Sequence, residues 1–289
     1  MVLVADRTAE INGVKIAVGQ PFVFESLELP SSDYRTQDVD NPVGDGRLMG
    51  RDRLTPGRAT LNVLVLGEDA AEVETHRRAF ARAWNTAVNR TRPGAVTHLD
   101  WRDGGRTTRV YGRPRTIATV NTDSRHGLLR LTAAFDLSEA AVYDVGSGSR
   151  SVRIDLIPPG GGGLTAPLTA PLMATGMPVR QGIIQDTGGD APTPFRVVFR
   201  GPISNPWLRG PGWEVRLNTS LAWDETVTVD TRTGTVVSSL GRNMKPFLGA
   251  RSRLRDATLK VGSTELTFGG NDPTATAFVE VQWTPAFYL

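Results

Sequence analysis

The chain has 289 residues with 39% hydrophobic residues, 31 glycines, 19 prolines, three histidines and no cysteine, and 33 basic against 30 acidic residues leave a formal charge of +3. That length fits about two domains, each able to bury a core of its own, and the missing cysteine excludes disulfides, thiolate metal sites, iron–sulfur clusters and cysteine nucleophiles. His76, His98 and His126 form no HxH or HxxxH pair, so histidine-dependent catalysis is not expected, and the near balance of charge gives no nucleic-acid footprint.

The opening MVLVADRTAEING has no basic stretch followed by an apolar run, so it does not read as a signal peptide. No window approaches the roughly 18 apolar residues of a membrane span. Synthesis in a bacterial cytoplasm and no membrane partner are the expectation. Strands are predicted over Val14–Val18 and Phe22–Leu29, broken at Gly19-Gln20-Pro21. From Pro30 to Pro56 the chain is polar and contains no convincing strand or helix. A loop of that length is usually functional or ordered by a partner.

A strongly apolar strand over Arg58–Gly67 leads into one helix. Asp69 can cap it, Glu72 stands in capping-box spacing, and Val73, Phe80, Trp84, Ala87 and Val88 recur at helical period until Pro93-Gly94 ends it. His76 reads as a residue of the helix surface. Strands follow at Ala95–Trp101, Arg106–Gly112, Arg115–Val120 and Leu129–Asp136, the first two joined at Asp103-Gly104-Gly105 as a hairpin. The domains are expected at 1–146 and 147–289. The second opens on a flexible connector, Pro158-Pro159 and Gly160 to Gly163 through Pro171, because those glycines lack the GK[ST] and the helix of a phosphate loop.

Beyond the connector, seven or eight short strands between Pro194 and Trp283 have the spacing of a β-sandwich. Trp213 and Trp283 fall in phase with core positions, whereas Trp207, in Ser204-Asn205-Pro206-Trp207-Leu208, is the aromatic expected to be exposed. Arg251, Arg253 and Arg255 would share one face if extended, a candidate surface for an acidic partner. Lysine occurs only at Lys15, Lys245 and Lys260, an imbalance that fits a GC-rich genome. A surface that grips phosphates or carboxylates is the alternative. Paired carboxylates are the one catalytic device left, with Asp224, Glu225 and Asp230 the best placed. Acids at strand ends are ordinary turn residues, so no catalytic residue, metal site or cofactor is assigned.

The order of these pieces resembles the distal tail (Dit), or minor tail, proteins of long-tailed bacteriophages. The resemblance is carried by Ile11-Asn12-Gly13, the Ala59–Leu66 strand, the helix with Phe80-Ala81-Arg82-Ala83-Trp84, and Leu99-Asp100-Trp101. In the second half it is carried by Pro192-Thr193-Pro194-Phe195, Phe199-Arg200-Gly201-Pro202 with Asn205-Pro206, the segment Val229–Val236 and the aromatic end Trp283–Leu289. It implies a mainly β chain: an N-terminal β-domain with one α-helix, then a C-terminal galectin-like β-sandwich. It also implies a hexameric ring in the virion tail tip, joining tail tube protein to hub or tail-associated protein. The ring would leave a channel for the tape measure protein and DNA, without specific DNA binding. In that setting Asp38 and Asp40, with Asp33, Asp45 and Asp52, would face the lumen or an arginine-rich neighbour. A carbohydrate-binding or host-surface adhesion protein is the alternative, although the second half has no histidine for a galectin-type sugar site.

Overall fold

The computed structural model describes residues 7–31, 33–123, 126–156, 179–272, 274 and 276–289. The start of the N-terminal segment and the Gly/Pro connector expected at 158–171 lie outside the described residues. The chain divides into two units, one running to Ser147 and taking in Phe287–Leu289, the other Gly148–Ala286. The last three residues, which the sequence reading gave to the second domain, therefore belong to the first.

The first unit contains β1 (Thr8–Ile11), β2 (Val14–Ile16), β3 (Phe22–Glu28), β4 (Asp33–Arg35), β5 (Val39–Asp40), β6 (Arg47–Leu48), β7 (Arg53–Thr55) and β8 (Arg58–Leu66). Helices α1 (Ala70–Trp84) and α2 (Ala87–Thr91) follow, then β9 (Thr97–Asp103), β10 (Arg106–Asp123), β11 (Leu128–Leu137) and β12 (Ala141–Asp144). Its main sheet runs β2-β1-β9-β10-β11-β8-β3, with β12 added at β10. Asn12 at φ 48° and Gly13 at φ 81° make the β1–β2 turn, whose two left-handed positions suit the twist of a tight hairpin. Ala59, Leu61, Val63 and Val65 of β8 and Leu129, Leu131, Ala133 and Phe135 of β11 alternate into one core. Helix α1 covers that face with Val73, Phe80 and Trp84, the Phe80 and Trp84 rings stacked at 5.6 Å.

The cap of α1 is built as its sequence predicts. The Asp69 carboxylate accepts from the Glu72 amide at 2.8 Å, and the Glu72 carboxylate accepts from the Glu68 amide at 2.6 Å. Two details differ from the sequence reading. The helix does not run on to Pro93 but stops at Asn85, and the five-residue α2 follows. Asn12, far away in sequence, donates its side-chain amide to the Ala83 carbonyl at 2.8 Å and so satisfies one of the open carbonyls there. His76 is not a free surface residue either: its Nδ1 lies 2.7 Å from the Leu66 carbonyl and its ring meets Phe22 edge-on.

The second unit contains β13 (Arg150–Asp155), β14 (Val179–Ile184), β15 (Phe195–Arg200), β16 (Ile203–Gly210), β17 (Trp213–Arg216), β18 (Ser220–Leu221), β19 (Thr226–Asp230), β20 (Thr235–Ser238), β21 (Thr264–Asn271) and β22 (Phe278–Trp283). One sheet runs β13-β22-β15-β19-β20 and the other β14-β21-β16-β17, with β18 on β16. Val197, Phe199, Val227, Val229, Val279 and Val281 of the first meet Leu208, Val215, Leu266 and Phe268 of the second in one core. Trp213 and Trp283 are buried, as their strand phase predicts, and donate to the Thr258 and Thr187 carbonyls. The mainly antiparallel β fold with its one long helix is the architecture the sequence implied.

Between β21 and β22 the buried Asp272 carboxylate organises the chain. It accepts from the amide and hydroxyl of Thr274 and from the amides of Thr276 and Ala277. Burial pushes its pKa up, but these donors outweigh burial and hold it below the ordinary carboxylate value. The folded form therefore binds this proton less readily than the unfolded chain. Its stabilisation is complete above the unfolded pKa near 4 and is lost as pH falls through the lower folded value. Asp272→Asn is expected to cost about 2 kcal/mol at pH 7. Urea titrations from pH 7 to 2 check this, since the gap to the native chain is expected to shrink steadily below about pH 4.

Candidate assembly interface

The segment Pro30–Pro56 is not an irregular loop; it is a two-stranded arm. β3 pairs with β8 antiparallel, ending Leu27↔Leu61 and Glu28↔Thr60. The same register continues into the arm, where Asp33↔Thr55, Tyr34↔Leu54 and Arg35↔Arg53 join β4 to β7. After a slip of one residue, Val39↔Leu48 and Asp40↔Arg47 join β5 to β6. Asn41 closes the tip by donating its amide to the Gly46 carbonyl at 3.0 Å. The arm is thus the β3–β8 hairpin carried past the edge of its sheet, with room to reach roughly 40 Å at strand rise.

None of its described residues is buried. Tyr34 (57%), Val39 (61%), Val43 (92%), Leu48 (58%) and Met49 (80%) stand in the open. An isolated two-stranded ribbon is marginal in water, and apolar groups on both of its strands stand largely uncovered among the described residues. The acids singled out by sequence are used locally in part. The Asp38 carboxylate accepts from the Gly50 amide at 2.8 Å, and Asp40 pairs with Arg47 at 3.4 Å while remaining 90% exposed. Gly50 has to be glycine because a Cβ there would come 2.1 Å from the Gln37 carbonyl oxygen.

The other predicted surface residues behave differently. Arg251, Arg253 and Arg255 do not form an extended stripe. They lie in successive turns closed by Ser252 donating to Gly249 and Asp256 to Arg253, with Leu254 turned into the core. Trp207 is not exposed: it retains only 7% of its surface. It lies on the face of β16 opposite Leu208, over Gly269, where a Cβ would come 2.3 Å from the ring. The guanidinium groups of Arg209 and Arg216 cover it at 5.1 and 5.8 Å from the ring centroid. Cationic stems, not apolar neighbours, remove it from water. Trp223, in the turn before β19, is instead 58% exposed. The flanking Arg209 and Arg216 and the pair Gly269-Gly270 were the available signal, and it needed the strand register to be legible.

Asp224, Glu225 and Asp230 do not converge on a cleft. Glu225 accepts from the Ala222 amide at 3.3 Å, and Asp230 accepts from the Thr233 amide and faces Arg196 at 3.6 Å. Among the described residues no three histidine, aspartate or glutamate side chains come together as a metal site. No described helix is long and apolar enough to cross a membrane. What the geometry offers is surface: an uncovered arm and a polar sheet face ordered by arginine–carboxylate pairs. On that face Arg130 forks onto Glu25, and Asp136 bridges Arg58 and Arg115.

An antiparallel sheet carrying a covering helix and a long ribbon, followed by a β-sandwich, is an arrangement this chain shares with solved phage proteins. The chain matches the crystal structure of the SPP1 Dit protein, described as a paradigm of the hub adsorption apparatus in phages infecting Gram-positive bacteria. The match has a TM-score of 0.63 over 97% of this chain and 99% of that one, at 12% identity. It also matches chains of the phage p2 baseplate in its activated conformation with calcium and with strontium. The TM-scores are 0.56 and 0.57, over 96% of this chain in both and 98% and 97% of those, again at 12% identity. No family model and no curated protein matches the sequence.

Proposed function

We propose that this chain is a structural component of a phage tail tip, a distal tail protein that assembles as a ring of six through its first unit. The ring joins the tail tube to the hub or tail-associated protein and leaves a channel for the tape measure protein and DNA. The observation that carries the reading is the fold shared with SPP1 Dit over nearly the whole of both chains. The arm supports the oligomeric part, because a solvent-bathed ribbon with Val43 and Met49 uncovered gains most from a neighbouring subunit. In the virion the protein belongs at the tail tip, and it acts without catalysis, cofactor or metal.

Native mass spectrometry of the purified protein, with negative-stain imaging, tests this: hexameric rings are expected, and persistent monomers at high concentration overturn it. Charge reversal is a finer test of the acids. Asp38→Lys with Asp40→Lys is expected to lower ring formation at least tenfold. Asp38→Asn, which keeps the acceptor for Gly50, is expected to have a smaller effect. Rings unaffected by the double reversal would remove Asp38 and Asp40 from the interface.

A further inference from the structure

Beside the covered Trp207 the second unit has a groove of about 320 Å³ lined by Arg209, Glu214, Arg216, Asn218 and the turn Gly249–Ser252, including Arg251. From this arrangement we infer that the groove is a phosphate-binding site, one that takes a phosphate group carried on a larger molecule or free.

Three guanidinium groups face one carboxylate there, an excess of two positive charges. Glu214 fixes two of them: its Oε2 accepts from Arg209 Nε and Nη2 at 3.2 and 2.6 Å, and its Oε1 accepts from Arg216 Nε at 2.9 Å. Both guanidinium groups lie over the ring of Trp207. Two flexible side chains are thereby held in one geometry before any ligand arrives, which removes much of the ordering cost of binding. Among the described residues the terminal nitrogens of Arg216 have no partner and Arg251 makes no ion pair. The far wall is rigid as well, because the Gly249 amide donates to the Arg216 carbonyl and the Ser252 hydroxyl accepts from the Arg216 amide.

The chemistry favours phosphate over carboxylate. A carboxylate presents two oxygens in one plane and is satisfied by one guanidinium fork. A tetrahedral phosphate presents oxygens in several directions at up to two negative charges, which suits donors converging from separate walls and an excess of two. The flanking Arg253 and Arg255 are exposed but line no part of the groove.

Titration calorimetry on the full chain decides it, using inorganic phosphate, a glycerol phosphate polymer and polygalacturonate. Phosphate and its polymer are expected to bind, and Arg251→Gln is expected to weaken both at least tenfold while Arg253→Gln leaves them unchanged. A polymer that binds more tightly per phosphate than the free ion identifies a chain as the ligand; equal affinity identifies the single group. Equal losses from Arg251→Gln and Arg253→Gln would reduce the effect to general charge and overturn the site. No phosphate binding, or polygalacturonate binding as tightly as the phosphate polymer, overturns it too. Because Arg251 is exposed and holds no other residue in place, a failed fold does not obscure the result.

Discussion

Excision of residues 31–56, with Pro30 joined to Gly57 through a two-residue turn, is expected to give a chain that folds and melts almost as the full protein does but never forms rings. The stems of the arm already stand together, since a Cβ on Gly57 would come 2.4 Å from the Pro30 side chain. The β3–β8 ladder below them reaches Glu28↔Thr60 without help from the arm. Nothing buried is removed, so the change in stability should stay within about 0.5 kcal/mol of zero. Shortening the closed loop acts slightly in favour of folding. The association state, by contrast, should fall from the proposed hexamer to monomer at every concentration accessible to light scattering. Rings formed by the excised chain would transfer the interface to another surface and leave the uncovered Val43 and Met49 without a role.

The largest loss of stability is expected from Trp84→Ala. Trp84 is fully buried, stacked on Phe80 and edge-on to Phe135 at 6.1 Å, and it joins helix to sheet. Truncation should destabilise the first unit by about 3–5 kcal/mol, lowering its melting by roughly 10 °C. Hydrogen exchange at the β8 and β11 amides reads that unit directly. Trp84→Phe separates packing from polarity. The indole Nε1 is buried with no partner, so phenylalanine deletes an unsatisfied donor while retaining an aromatic surface, and less than half the loss is expected. A larger loss for phenylalanine than for alanine would show that the ring stack is not what holds the helix down.

The parts of this molecule legible in its sequence are those that bury one side and wet the other. Ala59 to Val65 alternates because β8 has a core beneath it, and Asp69 and Glu72 announce a helix because capping is local. Asp103 to Arg106 reads as a hairpin for the same reason of locality. The arm was invisible as strands because it buries neither face, so no period of two is imposed on it; its pairing is inherited from β3 and β8. Asn12 meets the Ala83 carbonyl near the helix end, and His76 meets Leu66, through contacts that no local pattern announces. Trp207 misled because a tryptophan among polar residues looks exposed, whereas two arginines from neighbouring strands lie over it. The arginine groove needed two strands and a turn to be placed before Arg209, Arg216 and Arg251 became neighbours.

The return of Phe287–Leu289 to the first unit has a consequence in time. Leu289 packs against that unit's core, and Arg106 lies 4.4 Å over the Phe287 ring. The second unit is therefore an insertion within the first, and a growing chain can close the first unit only after the whole of the second has been synthesised. A nascent chain that has not reached Phe287 holds all of the arm but lacks the residues that complete the body carrying it.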